Sequence, residues 1–226
     1  MQYLLDTADI QSIQRTNDLF PLYGVTTNPT IIAKENRPFL EILKEIRSII
    51  GNESMLHVQV ISTQAADMIR EAEYLVSTIG GNLYIKVPVI SEGIKAMKEL
   101  KARNIKITAT AIFTPQQALI AAMAGADYVA PYVNRIDNIT GDGVKVVAEI
   151  VNLLDIYGLE TKVLAASFKN VQQIHAVSLV GAQSITINSD LMDGLLQHPL
   201  TDWSVDQFIK DWESVYGKNK LTFDVK

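Results

Sequence analysis

Leu83-Tyr84-Ile85-Lys86-Val87-Pro88 is a short apolar, β-rich run broken by one lysine. Seven more runs of the same kind recur along the chain, at Tyr3–Leu5, Gly24–Thr26, Leu56–Val60, Ile105–Ile112, Tyr128–Val133, Val163–Ala166 and Ser184–Ile187. Longer amphipathic segments separate them. In Phe39–Ile50, for example, Leu40, Leu43, Ile46 and Ile50 fall at helical spacing. Strand–helix alternation argues for a parallel sheet, and nearly continuous apolar runs suit strands covered on both faces. Polar residues stand at or just after each run: Asp6, Asn28, Gln59, Lys86, Thr110, Tyr132, Ser167 and Asn188. One β/α unit repeated eight times predicts a closed (β/α)8 TIM barrel, whose functional residues gather at the C-terminal ends of the strands. An open doubly wound sheet is the competing arrangement. It often carries a glycine-rich loop after its first strand, where this chain has Asp6-Thr7-Ala8-Asp9.

Working outward, Val205, Phe208, Ile209, Trp212, Val215 and Tyr216 repeat with helical spacing beyond the eighth unit, and Gly217 closes the segment. The expectation is a single barrel domain over 1–226, with 203–226 an additional C-terminal helix and tail. That helix either packs on its own barrel or docks on a neighbouring subunit. The 226 residues are 48% hydrophobic and 20% charged, enough for a large core without a disulfide or metal staple. The absence of cysteine excludes a thiol nucleophile and any Cys-ligated metal site. The three histidines, His57, His175 and His198, have no metal-ligand spacing. A net charge of −5 without a basic cluster argues against nucleic acid as a partner. No stretch has the length and apolarity of a membrane span, and the N-terminus lacks the features of a signal peptide, so a soluble cytoplasmic protein is expected.

Chemistry concentrates where polar residues leave the strands. Burial disfavours the charged form of an amine, and a neutral amine attacks carbonyls. Lys86, alone in an apolar strand, therefore reads either as a nucleophile or as a snorkelling anion binder. Lys106 and Lys162 stand at strand entries and read as solvated. In Gly24-Val25-Thr26-Thr27-Asn28-Pro29-Thr30, Pro29 keeps Asn28 extended and places its amide at a strand end. Tyr132, Asn134 and Arg135 leave one strand together. A guanidinium suits bidentate phosphate binding, unless Arg135 is spent on Asp137 or Asp142. Ser167 and Lys169 add a hydroxyl and a charge after the seventh strand, where barrels frequently bind phosphate. P-loop, HExxH and GxSxG motifs are absent, and no histidine falls at a strand exit, which argues against histidine acid–base chemistry.

Leu5-Asp6-Thr7-Ala8-Asp9, GVTTNPTII at 24–32, IKVP at 85–88, APYVNRID at 130–137 and LAASFKN at 164–170 together resemble the small transaldolase-type class I aldolases, most of all fructose-6-phosphate aldolase. The resemblance implies a Schiff base between Lys86 and a ketose. It implies donor contacts from Asp6 and Asn28, and a catalytic water and proton handled by Gln59, Thr110 and Tyr132. Arg135 and Ser167, helped by Lys169, would bind the acceptor phosphate. It further implies sugar-phosphate and dihydroxyacetone-type substrates and no metal or other cofactor. A ring-built homo-oligomer is also implied, often a decamer of two pentamers, whose terminal helix docks on a neighbour. Transaldolases proper resemble one another in carrying glutamate and phenylalanine where this chain has Gln59 and Tyr132, so the resemblance favours aldol cleavage over transfer, with transaldolase the alternative. One departure is Ile90, where the family usually has a hydroxyl residue. Ser91 is expected to take over its helix-capping role.

Overall fold

The computed structural model describes residues 1–225. Eight strands, β1 (Gln2–Asp6), β2 (Gly24–Thr26), β3 (Met55–Gln59), β4 (Leu83–Pro88), β5 (Ile107–Ile112), β6 (Tyr128–Pro131), β7 (Lys162–Ala165) and β8 (Ser184–Ile187), pair in parallel in chain order. β8 closes on β1. The helices between them are α1 (Ile10–Leu19), α2 (Pro29–Lys34), α3 (Phe39–Ile50), α4 (Ala65–Ile79), α5 (Ser91–Ala102), α6 (Pro115–Met123), α7 (Val133–Asp137), α8 (Gly143–Ile156) and α9 (Val171–Leu179). α10 (Ser189–Gly194) and α11 (Pro199–Tyr216) follow β8. This is the (β/α)8 barrel with an added C-terminal helix that the repeat predicts. The chain resolves into two compact units, one from Met1 to Leu191 that holds the barrel, the other from Met192 onward that holds α11.

Register and two-residue alternation sort each strand into two faces. Leu5, Val25, Leu56, Ile85, Val87, Ile107, Ala109 and Val129 are fully buried and form one of them. The opposite face points into the barrel. There Leu4, Met55, Tyr128 and Leu164 cluster, with Tyr84 against them. The helices bury the matching stripes. In α3, Ile42, Leu43 and Ile46 are fully buried, each contributing roughly 2 kcal/mol of transfer free energy. Two glycines permit close approaches that a side chain would block. A Cβ at Gly24 would lie 2.0 Å from the Met55 carbonyl oxygen, and one at Gly93 would lie 1.9 Å from that of Pro88. Gly93 thereby lets α5 seat against the end of β4.

Three boundaries differ from the sequence reading. The run Tyr128–Val133 ends as a strand at Pro131, and Val133 already begins α7. Proline has no N–H for a ladder; Tyr132 keeps one bridge to Ala166 and becomes the cap of the helix. Ile105 is not in β5, because its N–H returns to the Leu100 carbonyl at the end of α5. α11 starts at Pro199, six residues before the apolar periodicity begins, with Pro199 in the first turn and His198 Nδ1 accepting from Leu200 N. Its Trp203, Phe208, Ile209 and Val215 are exposed.

Candidate active site

Lys86 lies on β4, pointing into the barrel one register step from Gln59 on β3 and from Thr108 on β5. The residue is 6% exposed. Its Nζ donates to the Thr27 carbonyl oxygen at 2.7 Å and forms no ion pair among the described residues. That carbonyl points at the amine because β2 ends at Thr26, while Thr27 still donates its N–H and hydroxyl to the His57 carbonyl oxygen. The apolar strand and the Thr27 carbonyl thus fix the amine at the C-terminal mouth, with Gln59 its register partner on β3.

Tyr132 and Thr110 form the second group. The Thr110 hydroxyl, fully buried, lies 2.9 Å from the Tyr132 phenol oxygen. Phe113 meets the Tyr132 ring edge-on at 5.6 Å, and the Arg135 guanidinium carbon stands 4.8 Å from its centroid. The ring is therefore held independently of its hydroxyl. Arg135 is exposed in α7 and pairs with neither Asp137 nor Asp142. Asp137 accepts from Gly143 N and Gln173 Nε2, and Asp142 caps α8 through Lys145 N. The guanidinium's polar edge remains available at the mouth.

Asp6, at the end of β1, accepts from the Thr26 hydroxyl at 2.7 Å, and Thr26 lies 2.6 Å from the Thr186 hydroxyl. Asn28 has a second duty beyond the one the sequence suggests: its Oδ1 caps α2, accepting from Ile31 N at 3.0 Å. Its Nδ2 is the part left for a ligand. Ser167 follows β7 with a left-handed φ of 62°, and its carbonyl accepts from Asn134 N. Lys169 is exposed just before α9, which Asn170 caps. Ser91 does not take over the cap of α5. Ile90 is the N-cap, no side chain accepts there, and Ser91 is already helical. The chain turns into the helix one residue too early for the serine hydroxyl to reach back. The neighbouring Glu92 instead reaches Ala65 N at the start of α4.

A further residue beneath Lys86 was not singled out by strand-exit reasoning. His57 lies two residues before Gln59 on the same face of β3, fully buried. Its Nδ1 is 2.8 Å from the Thr108 hydroxyl, its ring stacks on Tyr84 at 4.7 Å, and Tyr128 meets it edge-on. Among the described residues, Nε2 has no hydrogen-bond partner. Burial, and then the Lys86 charge nearby, hold its pKa well below the ordinary imidazole value. Burial also pushes the Tyr84 phenol up to about 12, with smaller contributions from Tyr128 and Asp127. The floor under Lys86 is thus polar yet uncharged. Below pH ~6.5 the unfolded chain takes up a proton that folded His57 refuses, so stability falls with pH by up to about 1.4 kcal/mol per unit. Urea unfolding at pH 7.0 and 5.5 should therefore show a smaller acid-side loss in His57→Phe than in the parent; equal losses would assign the acid sensitivity elsewhere.

A cavity of about 460 Å³ sits at the strand-entry end, lined among others by Tyr84, Asp127, Tyr128 and Lys162. It meets the floor under Lys86 only through Tyr84 and Tyr128, and none of the strand-exit residues at the mouth lines it. A smaller, apolar cleft of about 200 Å³ is lined by Thr27, Asn28, Phe39, Gln59 and Ile61 at the mouth.

The sequence matches the family described as transaldolase/fructose-6-phosphate aldolase over residues 3–220. It is 43% identical to a probable transaldolase of Moorella thermoacetica across 96% of this chain and 100% of that protein. It is also 43% identical to a probable transaldolase of Geobacter sulfurreducens, covering 95% of this chain and 99% of the relative. A probable transaldolase of Clostridioides difficile is 42% identical, covering 94% and 97%.

Proposed function

The chain belongs to the transaldolase/fructose-6-phosphate aldolase family, and on that premise we propose that Lys86 forms a Schiff base with a ketose phosphate and breaks its C3–C4 bond. The carrying observation is the buried amine of Lys86, held at the mouth by the Thr27 carbonyl with Gln59 beside it. The amine adds to the C2 carbonyl of fructose 6-phosphate, and loss of water leaves an iminium ion. Removal of the C4 hydroxyl proton, by the Tyr132 phenol through a water, sends the C3–C4 bonding electrons into the iminium. Glyceraldehyde 3-phosphate leaves, and a three-carbon enamine stays on Lys86. Protonation at carbon and addition of water then release dihydroxyacetone and restore the amine. Asp6 and Asn28 Nδ2 take the donor hydroxyls. Arg135, Ser167 and Lys169 take the phosphate.

The enamine has two fates. Release as dihydroxyacetone is supported by the Thr110–Tyr132 hydrogen bond, which places a phenol and a hydroxyl to hold water and carry its proton. Gln59, unable to ionise, orients that water. Transfer to an aldose phosphate is the second reading, and the names of the relatives favour it. The exposed apolar residues of α11 support a further role for that helix as an arm between subunits of a homo-oligomer.

Borohydride added with dihydroxyacetone should attach one three-carbon unit per chain, located by peptide mass on the segment holding Lys86. Labelling at another lysine, or none, would remove the Schiff-base reading. Comparing fructose 6-phosphate cleavage with transfer to erythrose 4-phosphate then chooses between the two fates.

A further inference from the structure

Six non-glycine residues among those described have a positive φ. Three are asparagines, which tolerate that region, and Thr140 ends an exposed turn. The other two are Ala111 at φ 59°, in β5, and Ser167 at φ 62°, two residues past the end of β7; they lie on the segments that flank Tyr132 on either side. Ala111 lies inside β5, where a left-handed residue with a Cβ is a strained conformer.

The register shows what this conformer does. Ala109 pairs with Val129 and Ile112 with Pro131, so β5 spends one residue more than β6 over that interval. Simple alternation would bring Ile112 onto the same face as Thr110. Thr110 points inward two residues after Thr108, and the extra residue returns Ile112 to the face of Ala109 instead. Two backbone bonds depend on the result. The Ile112 carbonyl accepts from Tyr132 N at 3.1 Å, and the Thr110 carbonyl accepts from Val89 N at 3.0 Å, just past the strand that carries Lys86. Across β6, Ala166 and Ser167 accept from Val133 and Asn134.

We propose that Ala111 is a positioning residue: its left-handed bulge keeps Ile112 off the inward face and seats Tyr132 on the Ile112 carbonyl, which brings the phenol to the Thr110 hydroxyl. The inference rests on the assignment of proton and water handling to that pair. Ala111 itself touches no substrate. Its strain is retained because relaxing it would straighten β5 and turn Ile112 into the mouth.

The test compares Ala111→Gly with Ala111→Val by cleavage kinetics, thermal melting and dihydroxyacetone trapping. Glycine adopts the left-handed region freely, so its variant should keep kcat within about threefold and melt at or up to about 2 °C above the parent. A β-branched residue opposes that conformer. Ala111→Val should lose on the order of 10²-fold in kcat, with KM changed less than about threefold. Dihydroxyacetone should still be trapped on Lys86 in that variant. A folded Ala111→Val with parental kcat overturns the proposal, and so does an Ala111→Gly that melts several degrees lower. If the valine variant does not fold, the glycine variant decides alone by the same criteria. A parent that traps no dihydroxyacetone would instead refute the Schiff-base assignment, while the melting comparison still reports on the bulge.

Discussion

Lys86→Met should give a folded barrel that neither cleaves nor transfers, with activity down by on the order of 10⁴-fold or more. Without an amine there is no iminium, and no other group at the mouth can accept the electrons of the breaking C–C bond. Methionine is similar in length and flexible enough to fill the same space. The loss of one hydrogen bond leaves the Thr27 carbonyl without that donor, at about 1–3 kcal/mol. Removal of a buried amine that no carboxylate pairs offsets part of this. The melting temperature should therefore stay within a few degrees of the parent, and borohydride should attach nothing in the presence of dihydroxyacetone. Lys106 bonds to Asn82 near the strand-entry end, while Lys162 and Lys169 are exposed. None of these can substitute. Residual activity above a few per cent in Lys86→Met, or labelling of another lysine, would move the chemistry elsewhere.

Tyr132→Phe should lower fructose 6-phosphate cleavage by about 10²–10⁴-fold, the range of general acid–base help. The geometry makes this substitution unusually clean. The ring stays pinned by Phe113 and stacked under Arg135, and the backbone stays on the Ile112 carbonyl. Only the hydroxyl goes, together with its 2.9 Å bond to Thr110. In the proposed mechanism, release of dihydroxyacetone needs the enamine protonated and the imine supplied with water, and both steps pass through that hydroxyl. Transfer to erythrose 4-phosphate bypasses these two steps and shares only the C3–C4 step with cleavage, so it should fall less. Both rates, measured at saturating substrate in the parent and the variant, separate the two fates. A parent that transfers faster than it cleaves makes the protein a transaldolase, the name its relatives carry; equal losses in both reactions place the role of Tyr132 at the shared C3–C4 step.

Much of this was legible along the chain. A polar residue recurs at or just after each strand because the functional groups of a parallel barrel gather at the C-terminal ends of its strands. A polar side chain elsewhere on an inward face has to find a partner. That same logic overlooked His57. It is inward-facing and polar but lies below the mouth, and its partner Thr108 is 51 residues away on a strand it does not adjoin. Its position two residues before Gln59 was the available signal. Asn28 shows the reverse: a residue read as facing the mouth also caps a helix, because Pro29 starts α2 immediately after it.

The sequence by itself determined the eight-unit repeat, the placement of Lys86 in an apolar strand, and the set of polar residues at the strand ends. These follow from hydrophobic periodicity, which is local and survives without knowledge of any contact. Only the tertiary structure decided that the amine rests on the Thr27 carbonyl, that Arg135 lies over Tyr132 instead of pairing with Asp137 or Asp142, and that Thr110 meets the phenol. Those contacts join separate strands and loops, and their geometry depends on barrel register. In β5 the register turns on a single residue, Ala111, whose left-handed backbone no propensity for alanine would suggest. Closure of the barrel supplies the packing that holds an unfavourable conformer in place, and a sequence read one segment at a time contains no such force.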